Sequence, residues 1–322
     1  MTGIHLCEVI MKKYVIFFYF LVFLSANVFG ITLFKGQRLL WNTKKGNFDK
    51  VSSLIGKEAN VDYLEDSSNK TPLMYAAENG YTSIAKALLN SGADAKKVDI
   101  HSITALIYAS SNGYQDIVKL LVASPIEVIN HKDHSSRSAL YYSLNNNHFS
   151  VAKILIESNA NSEQSNGSGV TPMSIALLKN KTSLIQLMLD KGYNINYQTP
   201  STVKHYFYKY DVNSASHVLM QRVYATSCRT ALMYASSAKE VSQDSLEILV
   251  AAGADLDLQD ASGDTALMYA CRSCQIEKVK FLVSKGSNLK IENFSKRTAL
   301  DVAIKNGCTE AQIYLKQGGG EE

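Results

Sequence analysis

A six-residue string, TALMYA, occurs twice in this chain, starting at Thr230 and at Thr265. Near-copies start at Thr71 (TPLMYA), Thr104 (TALIYA), Ser138 (SALYYS), Thr171 (TPMSIA) and Thr298 (TALDVA). Successive starts lie 33, 34, 33, 59, 35 and 33 residues apart. Self-similarity at a fixed period near 33 confines the chain to one kind of solution, a row of short modules that bury their apolar faces against one another.

The module from Asp66 to Asp99 shows how such a unit is built. Asp66 to Thr71 reads as a turn, in which short polar side chains bond backbone amides. Thr71 is a natural N-cap and Pro72 suits the first helical position. Leu73, Ala76 and Ala77 follow at helical spacing, and Gly80 ends the helix. A second helix carries Ile84, Ala85, Leu88 and Leu89 on one face, with Gly92 in NSGAD at a left-handed turn. Neither helix is long enough to be stable alone in water, so only a neighbouring module can cover its stripe.

The stretches TPLMYAAENGYTSIAKALLNSGAD (71–94), TALIYASSNGYQDIVKLLV (104–122) and AAGADLDLQDASGDTALMYA (251–270) resemble the ankyrin-repeat family. The resemblance implies an all-α solenoid of about eight helix-turn-helix units joined by finger loops, over residues 37–319. It also implies a concave groove lined by the first helix of each unit, and protein partners. The end units depart from the pattern as a stack meeting water requires: Glu58 replaces a glycine in the first, and Gln312 and Lys316 replace apolar residues in the last.

Two departures bear on function. The family's usual histidine at the fourth signature place is replaced by Met74, Ile107, Tyr141, Ser174, Met233 and Met268. Finger glycines survive only as Gly169 and Gly263; Asn69, Ser102, Ser136, Cys228 and Lys296 take the equivalent place, so those fingers are expected to be irregular or strained.

The fifth signature place is Tyr75, Tyr108, Tyr142, Tyr234 and Tyr269, interrupted by Ile175. On a helix it shares a face with Asn112, Asn145 and Arg272, away from the Leu73/Ala76/Ala77 side. The family places that face in the groove. A row of tyrosines among amides suits protein recognition, and equally suits packing between repeats. The 59-residue interval exceeds 33 by 26 residues, placing an insertion at about 199–227. Thr199-Pro200-Ser201 reads as a helix start, followed by Val203, Tyr206, Phe207 and Tyr210 at helical spacing, with a second short helix around Val218, Leu219 and Val223. Its cluster of Tyr206, Phe207, Tyr208 and Tyr210 is a candidate anchor for a partner, or part of a decayed repeat.

The N-terminus is a different kind of sequence. MKKYVIFFYFLVFLSANVFG (11–30) has two lysines, an apolar run from Tyr14 to Leu24 and then small residues, the order of a secretory signal over 1–30. Met11 fits the start of that pattern better than Met1. Cleavage at Gly30 or Ala26 and retention as an anchor over Tyr14–Phe34 both fit, and either exports the rest. Residues 320–322 read as a tail.

A net charge of +4, evenly mixed, argues against nucleic acid. Cys271 and Cys274 have redox or metal half-site spacing, but nothing completes a metal site and no catalytic or phosphate-binding motif is present. A Cys274–Cys308 bridge is conceivable from their neighbouring frame places, although adjacent family units sit too far apart to bridge easily. No cofactor is expected. The sequence points to a non-catalytic protein-binding scaffold of the cell envelope, exported to the periplasm, with no nucleic acid and no membrane contact except through an uncleaved N-terminal segment. A secreted effector binding host proteins and, least favoured, a thiol enzyme using Cys271/Cys274 are the alternatives.

Overall fold

The computed structural model describes residues 34–123, 126–199, 202–211, 216–225 and 228–318. The predicted signal segment 1–30 and the tail 320–322 lie outside the described residues. The chain divides into two compact units, Met1–Ile100 and His101–Glu322.

In the first unit, helix α1 covers 34–44, and α2 (Phe48–Ile55), α3 (Pro72–Asn79) and α4 (Thr82–Asn90) follow. Thr71 caps α3, its hydroxyl accepting from the Met74 amide, with Pro72 in the first turn and Gly80 left-handed at φ +76° beyond the end. Leu73, Met74, Ile84 and Leu88 are almost fully buried, and α4 packs on both α2 and α3. Burying each such side chain is worth roughly 1.5–3 kcal/mol, which holds helices of this length in place.

The second unit repeats the pattern. First helices are α5 (Ala105–Asn112), α8 (Ala139–Asn145), α10 (Pro172–Leu178), α12 (Ala231–Ser237), α14 (Ala266–Arg272) and α16 (Ala299–Lys305). Second helices are α6 (Gln115–Leu121), α9 (Phe149–Glu157), α11 (Thr182–Asp190), α13 (Gln243–Ala251), α15 (Ile276–Ser284) and α17 (Thr309–Lys316). A single extra turn, α7 (Ile126–Ile129), precedes α8. Each first helix packs on its own second helix and on the next first helix, α5 through α16, giving two layers. Met233 and Met268 lie buried at the fourth signature place, each amide bonded to the Thr N-cap hydroxyl one turn earlier. Apolar packing thus takes the place of the missing histidine.

Polar links tie neighbouring modules edge to edge. Asp62 accepts from the Asp94 amide, Asn130 from Asn161, Glu163 from Asn194, and Asp257 from Asn288, each 31 or 32 residues on. Asn196 makes the same link to Asp255 across 59 residues. Helix α10 packs on α12, and α11 on α13. The array therefore continues through the insertion as though it were absent.

The insertion corrects the expectation of two helices. Residues Thr202–Asp211 (β1) and Ser216–Ala225 (β2) form an antiparallel ribbon, with Tyr206 opposite Gln221 and Tyr208 opposite Leu219. The reason lies in composition. VKHYFYKY and SHVLMQRVY are rich in aromatic and β-branched residues, which favour a pleated surface, and the helical spacing of Val203, Tyr206, Phe207 and Tyr210 was coincidental. The supposed helix start at Pro200 and Ser201 lies outside the described residues.

The fingers are regular, and the strain is local. Asn69, Ser102, Ser136, Cys228 and Lys296 all adopt φ between +52° and +61°, the same left-handed region as Gly169 and Gly263 at +77°. One repeat ends differently. Ala238, after α12, is extended (φ −86°, ψ 122°), because two additional residues separate α12 from α13. Lys278 of α15, 7% exposed, reaches across and donates to the Ala235 carbonyl at 2.8 Å and the Ala238 carbonyl at 2.5 Å. A cation at a helix C-terminus thus does what a left-handed glycine does elsewhere.

Candidate functional site

The signature tyrosines are wired into the fingers. Asp133 takes its finger's turn by accepting the Ser135 and Arg137 amides on one oxygen; its other oxygen receives the Tyr142 hydroxyl at 2.7 Å and Arg137 Nε at 2.9 Å. Asp260 repeats this with the Ser262 and Asp264 amides and the Tyr269 hydroxyl at 2.6 Å. In the first unit, Glu65 accepts the Tyr75 hydroxyl at 2.5 Å. A cation covers each ring: Lys44 and Lys70 over Tyr75, Arg137 over Tyr142, and Arg229 and Arg272 over Tyr269. Where the finger holds an amide instead, Asn166 or Asn293, its side chain still accepts turn amides, and the residue nine places on is aliphatic, Ile175 or Val302.

This acid–tyrosine–cation arrangement fixes the protonation states. Burial and the Asp260 hydrogen bond push the Tyr269 phenol up to about 12. Burial, then the bond to Asp133, raises Tyr142. Hydrogen bonds from Lys44, Ser68 and Tyr75 hold the Glu65 carboxyl down to about 2. Tyr142 and Tyr269 are neutral donors, and Tyr269, 3% exposed, gives no surface to a partner in this conformation. Tyr75, Tyr108, Tyr142 and Tyr234 are half-buried. Sequence reasoning missed Asp133, Asp260 and Glu65 as their partners. The signal was present in the pairing of finger acid with tyrosine, and of finger amide with aliphatic residue.

Asn112 and Asn145 are exposed on this side of α5 and α8, and Asn146 donates to the Ser111 carbonyl at 2.8 Å and its hydroxyl at 3.0 Å. Arg272, the predicted groove cation, is bonded to Asp264 at 2.5 Å while remaining 40% exposed. Beside the insertion, Ser174, Tyr193, Tyr197, Thr199, Arg229 and Tyr234 line a hollow of about 370 Å³. The backbone of Tyr206, Phe207, Tyr208 and Tyr210 is placed on β1, with their side chains outside the description.

The cysteines do not form a reactive pair. Cys274 is disulfide-bonded to Cys308, with Cα atoms 5.1 Å apart, which corrects the expectation that adjacent repeats are too distant. Cys274 sits in the left-handed turn after α14 (φ +53°) and Cys308 is the N-cap of α17, so the bridge joins two turns rather than two helices. Cys271 is fully buried, and burial pushes its thiol up to about 12, the opposite of an activated nucleophile. Among the described residues no group of His, Cys, Asp or Glu could hold a metal ion. His131 and His134 flank the finger carboxylate Asp133, which is already committed to Arg137 and Tyr142.

Stacked helix pairs with left-handed fingers define a repeat protein of the solenoid class. The model for ankyrin repeats (three copies) matches residues 39–133, 106–199, 200–293 and 232–320, and the chain belongs to the ankyrin-repeat family. It is 39% identical over 71 residues to putative ankyrin repeat protein L92 of Acanthamoeba polyphaga mimivirus, covering 21% of this chain and 17% of that one. It is 25% identical over 179 residues to the ankyrin repeat and KH domain-containing protein mask-1 of Caenorhabditis elegans, covering 53% and 7%. It is 42% identical over 62 residues to the human NAD-capped RNA hydrolase NUDT12, covering 19% and 13%. The chain spans less than a fifth of each of these relatives, so only the repeats are shared. Ankyrin repeats generally mediate protein–protein interaction and are generally non-catalytic.

Proposed function

We propose that this chain is an exported scaffold of the cell envelope that binds another exported or membrane protein, with the array in the periplasm and the segment ending at Gly30 serving as signal or anchor. The partner surface combines the polar side of α5, α8 and α14, with Asn112, Asn145 and Arg272, and the ribbon within 199–227.

The observation that carries this reading is the bypass at the insertion. Helices α10 and α12 stack directly and Asn196 links to Asp255, so the array closes its core without the ribbon. A ribbon that the core does not require, with two outer edges of backbone donors and acceptors, suits recognition by strand addition. The Cys274–Cys308 bridge supports export, since disulfides persist in oxidising compartments.

The test is a deletion of residues 201–225 in the full chain. Partner capture by in-cell crosslinking should disappear while far-UV circular dichroism and the melting transition stay within error. Unchanged capture removes the ribbon from the reading. Cell fractionation tests location: protein in the culture medium instead of the envelope favours the effector alternative.

A further inference from the structure

The first module carries a surface that its capping role does not explain. The inner side of α1 is buried through Leu39, Leu40, Asn42 and Thr43, at 5% exposure or less. The outer side holds Phe34 at 58% and Trp41 at 57%, two helical turns apart, and Phe48 at 43% opens α2. A terminal repeat normally meets water with polar residues. Here three large aromatic side chains, Phe34, Trp41 and Phe48, are exposed among the polar ones.

Cations are interleaved with them. The Arg38 guanidinium lies 5.6 Å from the centre of the Phe34 ring, and the Lys45 ammonium 5.9 Å from that of Trp41. Lys35 lies one residue from Phe34, and its ammonium bonds the Lys57 carbonyl. The acids nearby are Asp49, exposed beside Phe48, and Glu65 and Asp66, which line the hollow next to Trp41. Glu65 is already held by Lys44, Ser68 and Tyr75. The stripe of Phe34, Gln37, Arg38, Trp41 and Lys45 contains no acid of its own.

Exposed aromatic rings among cations on one side of a helix make the pattern of an element lying in the headgroup region of a membrane. The position in the chain agrees, since Phe34 follows within ten residues of the apolar run ending at Leu24. A second copy is a poor occupant, because two such stripes face to face bring like charges together. We propose that the Phe34–Trp41 side of α1 rests on an anionic bilayer surface, with the two rings in the interface and Arg38 and Lys45 toward lipid phosphates. The contact is made by the folded array itself and is independent of the protein-binding reading.

Trp41 is the chain's single tryptophan, so its emission reports this side alone. The full chain is mixed with phosphatidylcholine vesicles, with and without phosphatidylglycerol, and with brominated acyl chains as quenchers. The expected result is Trp41 emission moved to shorter wavelength and quenched by the bromines, more so with phosphatidylglycerol. An Arg38→Glu/Lys45→Glu variant should lose that quenching while keeping the circular dichroism of the parent. The proposal is overturned if the chain floats with vesicles while Trp41 stays unshifted and unquenched, since the apolar segment then binds alone. It is equally overturned if nothing binds, or if the shift follows protein concentration without lipid, which would mark contact between copies.

Discussion

Lys278→Met tests whether a buried cation substitutes for a helix-ending glycine. Methionine keeps most of the stem's volume and removes only the ammonium. The two bonds, to the carbonyls of Ala235 and Ala238, are charge-assisted, each worth about 1.5–3 kcal/mol. Against them stands the desolvation of an ammonium 7% exposed, which also lowers its pKa, with Glu240 opposing. Because the substitution takes the charged donor from the Ala235 carbonyl and leaves the Ala238 carbonyl only its long 3.3 Å bond from the Val241 amide, a net loss of about 2–4 kcal/mol is expected. Urea unfolding followed by circular dichroism measures it, with Lys280→Met, an exposed neighbour paired to Glu277, as control. Stability in a repeat array is a sum over neighbours, so amide exchange should quicken in α12 to α15 and stay unchanged in α8 and α9. A loss below about 0.5 kcal/mol, or a gain, refutes the reasoning, since a buried ammonium can be a net burden that water relieves once it is gone.

Five further outcomes follow from the same geometry. Lys296→Gly should stabilise the last finger by about 0.5–1 kcal/mol by removing a side chain from φ +57°, whereas Gly263→Ala should destabilise, its Cβ meeting the Phe294 amide nitrogen at 2.7 Å; thermal melts decide both signs. Tyr269→Phe should cost about 1–3 kcal/mol in urea unfolding by leaving a buried Asp260 oxygen short of a donor. Glu65, held at about 2 in the fold against 4.5 as its ordinary value, contributes stability that is complete above pH 4.5 and is lost as pH falls through 2; Glu65→Gln should flatten that part of the stability–pH curve. Reducing Cys274–Cys308, 34 residues apart, should remove up to about 4 kcal/mol by the loop-entropy estimate, with exchange quickening mainly in α16 and α17.

The array was legible because its information is redundant. A module that starts with Thr, Pro or Ala, Leu and closes on a left-handed residue is written many times, and each copy limits the reading of the next. The insertion occurs once, so nothing checked a four-residue spacing against the alternation of aromatic and β-branched residues running through the same letters. The disulfide escaped for a geometric reason. Family-level spacing describes helix axes, whereas Cys274 and Cys308 sit in turns, where their Cα atoms come within 5.1 Å.

The tyrosines show what internal repetition can reveal without any relative to align. Taken as one column, Tyr75, Tyr108, Tyr142, Tyr234 and Tyr269 form a stripe and suggest a surface. Set beside the finger column, acids at 133 and 260 accept tyrosine hydroxyls, while amides at 166 and 293 stand with Ile175 and Val302; in the first unit Glu65, one place before that column, takes the Tyr75 hydroxyl. A carboxylate oxygen left over after serving the turn amides needs a donor, and a finger amide faces no such demand with its remaining group. The choice of Tyr142 and Tyr269 is therefore answered within the module, and Asp99 with Tyr108 stands at the same nine-residue spacing, whereas Tyr234 has Ala225 there. The proposed recognition surface therefore rests on the exposed amides of α5 and α8 and on the ribbon that the stack passes by.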